Sequence, residues 1–189
     1  MAAQVASFDV AVYAATASGA IAAIAAAREG LRVALVEPGR HVGGMVSGGL
    51  GWTDAGDQRV IGGLALEFYE RVAHYYEVET WSFVGPEPHV AERIFRDWLD
   101  EVGVTLFFDA RLRGVVKDER RIVEILTEQG DRIAAAAFID ASYEGDLLAR
   151  AGVSYAIGRE PVERYGESWA GRRPILPGQH NFAVPVSPF

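Results

Sequence analysis

The stretch that most constrains the fold is Phe8 to Arg40, FDVAVYAATASGAIAAIAAAREGLRVALVEPGR. An apolar run from Phe8 to Tyr13 reads as a buried strand and enters a turn of small residues, Ala14 to Gly19. An Ala-rich helix is expected from about Ala20 to Arg28, stopped by Gly30. A second apolar strand, Leu31 to Val36, then delivers Glu37. Strand, tight turn, helix, strand and acid is the plan of a dinucleotide-binding βαβ unit. The helix start collects unpaired N–H groups and the positive end of a dipole, which suits a pyrophosphate. Glu37 follows Gly19 at close to the roughly 20-residue spacing at which an acid reaches the ribose hydroxyls. Its charge also repels a 2′-phosphate and so disfavours NADP.

The glycine fingerprint of such a turn is partly kept. Its three positions hold Ala14, Thr16 and Gly19. Gly19 permits close packing of helix on strand, whereas Ala14 puts a Cβ where the turn calls for positive φ. Read alone, the stretch also fits an ordinary βαβ unit that binds no nucleotide.

Further readings rest on composition. Half the residues are hydrophobic and 23% are charged, which describes a globular chain. A net charge of −8, with no basic run, argues against a nucleic-acid surface. The chain has no cysteine, which removes disulfides, thiolate catalysis and cysteine metal sites and fits a reducing compartment. No basic segment precedes the first strand, and the apolar run Ala20 to Ala27 is too short to span a bilayer, so a cytoplasmic protein is expected. The four histidines, His41, His74, His89 and His180, show no ligand spacing, so no metal site is expected.

Beyond Glu37, Pro38 to Gly51 (PGRHVGGMVSGGLG) contains six of the 21 glycines and reads as a loop whose backbone lies close to something. His41 within it is open to several roles, a plain loop histidine first among them. Helices are expected over Leu64 to Tyr76, where Leu64, Leu66, Phe68, Tyr69, Val72 and Tyr75 give a mostly helical apolar pattern, and over His89 to Val102. The second should bury Val90, Ile94, Phe95, Trp98 and Val102 and leave Glu92, Arg93, Arg96, Asp97 and Asp100 in solvent. A short strand, Val104 to Phe108, comes next. A hairpin of Arg111 to Lys117 and Ile122 to Glu128 follows, and then a strand over Arg132 to Ile139. In FIDASYEGDLLARAG, from Phe138 to Gly152, a strand again turns into a helix, expected from about Tyr143, with Asp140 or Ser142 as its N-cap. Val153 to Ile157 reads as a further strand. Gly158 to Phe189 holds most of the eight prolines and reads as the start of a second region.

Three segments, YAATASGAIAA, EPGRHVGGMVSGGL and IDASYEGDL, carry a resemblance. They resemble the strand–GATPAG–helix opening, the E-P-x-x-x-x-GGM-x-SGGL loop and the IDASYEGDL segment of bacterial FAD-dependent oxidoreductases of the two-dinucleotide-binding-fold group. The last two matches are the specific ones. The resemblance covers nearly all of the chain and implies the N-terminal part of such an enzyme. The implied fold is an α/β, Rossmann-like FAD-binding fold with a parallel sheet and a small antiparallel β-meander, incomplete as it stands. Residues 1–157 would form the FAD-binding domain with a helical insert at about 52–102, and 158–189 would begin a truncated substrate region.

The resemblance further implies that Ala14, Ala15, Thr16 and Gly19 pass the pyrophosphate and that Glu37 binds the adenosine ribose. Arg40, Gly43, Gly44, Met45 and Ser47 would line the flavin's path. Arg111 and Leu112 would lie on the adenine side, and Asp140 and Ala141 would approach the cofactor again. Ala14 in place of the first glycine and Ala17 in place of the usual proline depart from the pattern. The implied activity is hydride transfer between flavin and a small-molecule substrate, with catalytic residues unassigned. Two alternatives stand beside it. One is a non-catalytic or inactive nucleotide-binding fragment, favoured by Ala14. The other is an NAD-binding dehydrogenase, which would need neither the glycine loop nor IDASYEGDL.

Overall fold

The computed structural model describes residues 5–54, 56–80 and 85–171. The chain divides into two units, Met1–Val153 and Ser154–Phe189. The first is built on a six-stranded sheet of order β3-β2-β1-β6-β5-β4. Strand β1 (Val5–Tyr13) leads through helix α1 (Ala17–Arg28) to β2 (Val33–Val36). Helices α2 (Gly63–Tyr75) and α3 (Pro88–Glu101) then precede β3 (Thr105–Phe107). The meander β4 (Leu112–Asp118), β5 (Arg121–Thr127) and β6 (Arg132–Asp140) brings the chain back to the centre. Strand β1 pairs parallel with both β2 and β6, while β4–β5 and β5–β6 are antiparallel. Helix α4 (Asp146–Ala151) follows β6.

Strand β2 and the last four residues of β1, Val10 to Tyr13, are apolar and buried at every position because both faces of the sheet are covered there. Val10, Val12, Val33 and Leu35 pack toward α1, α2 and α3 with Ile24, Val72, Phe95 and Trp98. Ala11, Tyr13, Ala34 and Val36 face the opposite way, onto Leu112, Ile125, Ile133 and Leu147. The pleat's period of two sorts one run of residues into two cores. Helix α3 buries Val90, Ile94, Phe95 and Trp98 as its spacing requires, whereas Val102, expected with them, is the half-buried C-cap just past its end; Phe95 stacks on Phe68 of α2 at 4.6 Å between ring centroids. Among the described residues no helix is long and apolar enough to cross a membrane.

Four expectations need correction. Residues Val153 to Ile157 form no strand. Val153, Tyr155 and Ile157 are exposed, and an apolar alternation cannot make a strand without a neighbouring edge to pair with. The last helix of the first unit begins at Asp146, not near Tyr143, because Gly145 takes a left-handed φ of 73° and the segment before it forms a turn. Leu66 and Tyr75 of α2 lie outside the core, 36% and 41% exposed, since the buried stripe runs through Phe68, Val72 and Ala73. Glu92 and Arg96 are not simply solvated; both reach the loop after β2. The second unit includes a short helix, α5 (Val162–Tyr165). The part of the proline-rich region at 172–189 lies outside the described residues.

Candidate cofactor site

The turn between β1 and α1 is held from three directions. The Ala14 N–H donates to the Val36 carbonyl at 2.8 Å, tying the turn to the end of β2. The Ala15 N–H donates to Glu37 Oε2 at 2.7 Å, while Gly39 N–H donates to Glu37 Oε1 at 2.7 Å. Glu37 therefore stands at the mouth of α1, each oxygen accepting one backbone donor. Thr16 is the N-cap of α1: its Oγ1 accepts the Gly19 N–H at 3.1 Å and donates to the Ala141 carbonyl at 2.9 Å. One hydroxyl thus joins the first strand–helix turn to the second. Ala14 has φ of 72°, the left-handed region that its Cβ disfavours. At Gly19 a Cβ would come within 2.0 Å of the Ala14 carbonyl oxygen, so no larger residue fits.

The glycine loop folds back onto this turn. Gly43 N–H donates to the Ala15 carbonyl at 2.7 Å, and Gly43 has φ of 103°. Gly44, at φ of 54°, lies against Thr16 and Tyr143. The Met45 N–H donates to the Tyr143 hydroxyl at 2.8 Å. Ser47 turns inward, its hydroxyl donating to the Val42 carbonyl at 2.6 Å, and so holds the loop's shape. Arg40 reaches outward to Asp109 at 2.9 Å. Helix α3 grips the same loop through two side chains. Glu92 accepts from Val42 N–H and pairs with His41 Nδ1 at 2.9 Å, and Arg96 donates to the Arg40 carbonyl at 2.7 Å. Burial works to raise the Glu92 pKa, but the hydrogen bonds of His41 and Arg96 together outweigh it and hold the carboxyl below its ordinary value.

At the second junction the Ala141 N–H donates to the Tyr13 carbonyl at 2.9 Å. Asp140 spends its carboxylate on its own turn. It accepts from the Ser142 N–H and hydroxyl through Oδ1 and from the Leu148 N–H through Oδ2, while Ser142 Oγ accepts the Asp146 N–H. The formal N-cap of α4 is Gly145, yet Asp140 and Ser142 satisfy two of the helix's first N–H groups from a distance. At the hairpin, Leu112 N–H donates to the buried Tyr13 hydroxyl at 3.1 Å, and the Arg111 carbonyl accepts from Glu128 N–H at 2.8 Å. Burial pushes the Tyr13 hydroxyl pKa up; the Leu112 N–H opposes this, and Asp146 and Glu37 add to it.

Two adjoining clefts result. One, about 280 Å³, is lined by Ala14, Thr16, Glu37, Arg40, Gly44 and Tyr143 among others. The next, about 390 Å³, is lined by Tyr13, Arg111, Leu112 and Arg150, and shares Pro38 and Asp146 with the first. Together they make a trench from the start of α1, past Glu37, to the hairpin. The FAD dependent oxidoreductase family profile matches residues 9–185. The chain belongs to this family. Its members take FAD as cofactor, as the family name states.

Solved structures agree on the fold. L-proline dehydrogenase from P. horikoshii superposes with a TM-score of 0.64 at 14% identity, over 84% of this chain and 59% of that one. L-amino acid deaminase from Proteus vulgaris, lacking its specific insertion sequence, gives 0.61 at 14% identity over 82% and 58%. A steroid monooxygenase bound to NADP gives 0.53 at 22% identity over 72% and 26%. The chain thus spans less than two thirds of the length of these neighbours. No curated protein sequence gives a significant match.

Within this flavoprotein fold, Ala14, Thr16, Glu37, Arg40 and Gly44 share one cleft and Arg111 and Leu112 share the next. Gly19, Gly43 and Ser47 lie beneath, as packing. In the sequence Tyr13 reads as an ordinary strand aromatic, Glu92 as helix surface and Tyr143 as a helix-start residue. Nothing in their spacing marks them; only the folded chain brings Tyr13 and Tyr143 to the trench and Glu92 to the loop beside it.

Proposed function

We propose that the trench holds FAD and that this chain is the cofactor-holding part of a cytoplasmic oxidoreductase moving hydride between flavin and a small substrate. The observation that carries this reading is the Glu37 carboxylate fixed on the Ala15 N–H beside the start of α1. Each Glu37 oxygen accepts one backbone N–H and retains a lone pair, so it can take ribose hydroxyls as well. The Glu37 acceptors therefore fit the cofactor's ribose. In this reading Ala14, Ala15, Thr16 and Gly19 pass the pyrophosphate over the α1 N-terminus. Arg111 and Leu112 border the adenine, and Asp140 and Ala141 shape the second turn. Arg40, Gly43, Gly44, Met45 and Ser47 form the loop along the flavin. Bound FAD supplies the hydride acceptor or donor, while the protein supplies binding and orientation.

The test is a visible spectrum of purified protein after FAD addition and desalting. Flavin bands that travel with the protein are expected. Folded protein that emerges colourless would overturn the reading. It would favour a second one, a folded domain that holds no flavin, which the left-handed backbone at Ala14 supports.

A further inference from the structure

Tyr143 stands where the glycine loop meets the turn after β6. Its hydroxyl oxygen accepts the Met45 N–H at 2.8 Å. It sits so close to Gly44 that a Cβ there would lie 2.2 Å from it and 3.1 Å from Thr16 Cα. Gly44 is thus a glycine for two reasons, a left-handed φ and the phenol packed against it. A phenol that accepts one hydrogen bond still has its own proton to give. Among the described residues no protein acceptor takes it. Tyr143 is 55% exposed and lines the cleft beside the N-cap of α1. Its O–H is therefore left to donate to solvent or to a ligand in the cleft.

We infer, resting on the FAD reading above, that Tyr143 contacts the cofactor's pyrophosphate. It donates its hydroxyl proton to a phosphate oxygen while its own oxygen holds Met45 N–H. The Met45 N–H polarises the phenol and strengthens the bond it donates, and an anionic acceptor makes that bond charge-assisted. The glycine loop and the second turn are then fastened to the same ligand group through one side chain. This gives the IDASYEGDL segment a binding role that Asp140, committed to its own turn, does not supply.

The experiment is calorimetric titration of the full chain and of Tyr143→Phe with FAD, ADP and adenosine. ADP keeps the pyrophosphate without flavin; adenosine lacks both. The expected result is that FAD and ADP each bind about tenfold more weakly to the variant while adenosine binding is unchanged. Unchanged affinity for all three overturns the inference. So does an equal loss for all three, which marks a residue that shapes the cleft, or a loss confined to FAD, which marks a contact to the flavin. If the unaltered protein binds neither FAD nor ADP, the function reading fails and this inference falls with it. If it binds both and the variant binds them equally well, only the inference fails.

Discussion

Two neighbouring small residues in the first turn answer substitution in opposite ways. Gly19 leaves no space: its Cβ would overlap the Ala14 carbonyl oxygen, which is backbone and cannot swing aside. Gly19→Ala should therefore cost at least about 2 kcal/mol through overpacking and displace α1 from β1. Urea unfolding checks this, and a variant of unchanged midpoint would sink it. Ala14 is the opposite case. Changing it to glycine relieves a left-handed residue by about 1–2 kcal/mol. It also gives up a buried methyl worth about 0.8 kcal/mol and loosens the unfolded chain by about 0.4–1 kcal/mol. The effects nearly cancel, so Ala14→Gly should shift stability by no more than about 1 kcal/mol either way and bind FAD no more weakly. Ala14→Val, β-branched at positive φ, should lose more than about 2 kcal/mol. If Val is tolerated as well as Gly, the turn is not the constraint described here.

The inserted helices form one layer with α1, cemented by charge around an aromatic. Trp98 is fully buried, yet the Arg28 and Arg71 guanidinium groups lie over its ring at 5.1 and 4.3 Å. Glu67 holds both arginines, and Arg71 also pairs with Glu101. The Arg28 hydrogen bond, aided by Arg71, holds the Glu67 pKa below its ordinary 4.5. A depressed carboxyl adds stability above its unfolded pKa and loses it as pH falls through the folded one. The midpoint of thermal unfolding should therefore drop as pH is lowered from about 4.5, and Glu67→Gln should remove part of that slope. Parallel pH profiles for the two proteins would contradict this. These elements also show what was legible beforehand. The βαβ unit, both inserted helices and the meander follow from periodicity, because each buries a face whose period the sequence carries. The Glu92–His41 and Arg96–Arg40 contacts were not legible, since a charged residue on a helix surface looks the same whether it meets water or a loop 50 positions away. The expected strand at Val153 to Ile157 failed because alternation says nothing about whether a free edge is within reach.

At the scale of the molecule, the trench and both cores belong to the first unit. The two clusters of buried apolar side chains draw on residues between Val10 and Leu147, and every residue lining the two clefts lies before Val153. The sheet closes around β1 and β6, neighbours in space but separated by the whole of the insert and the meander, so the turn after β1 and the turn after β6 must form together. Thr16 spans them, which makes the trench a product of global folding rather than of either motif alone. A ligand that binds only the folded trench stabilises by mass action, about 2.7 kcal/mol at 100 times its Kd. For a chain of this size that raises Tm by roughly 5–10 °C. The same rise is expected for a chain ending at Val153, since neither core nor cleft draws on later described residues. Differential scanning fluorimetry of both lengths with FAD decides the matter. A rise in the full chain that disappears in the shortened one would place part of the binding energy beyond Val153 and contradict the assignment of the trench to the first unit.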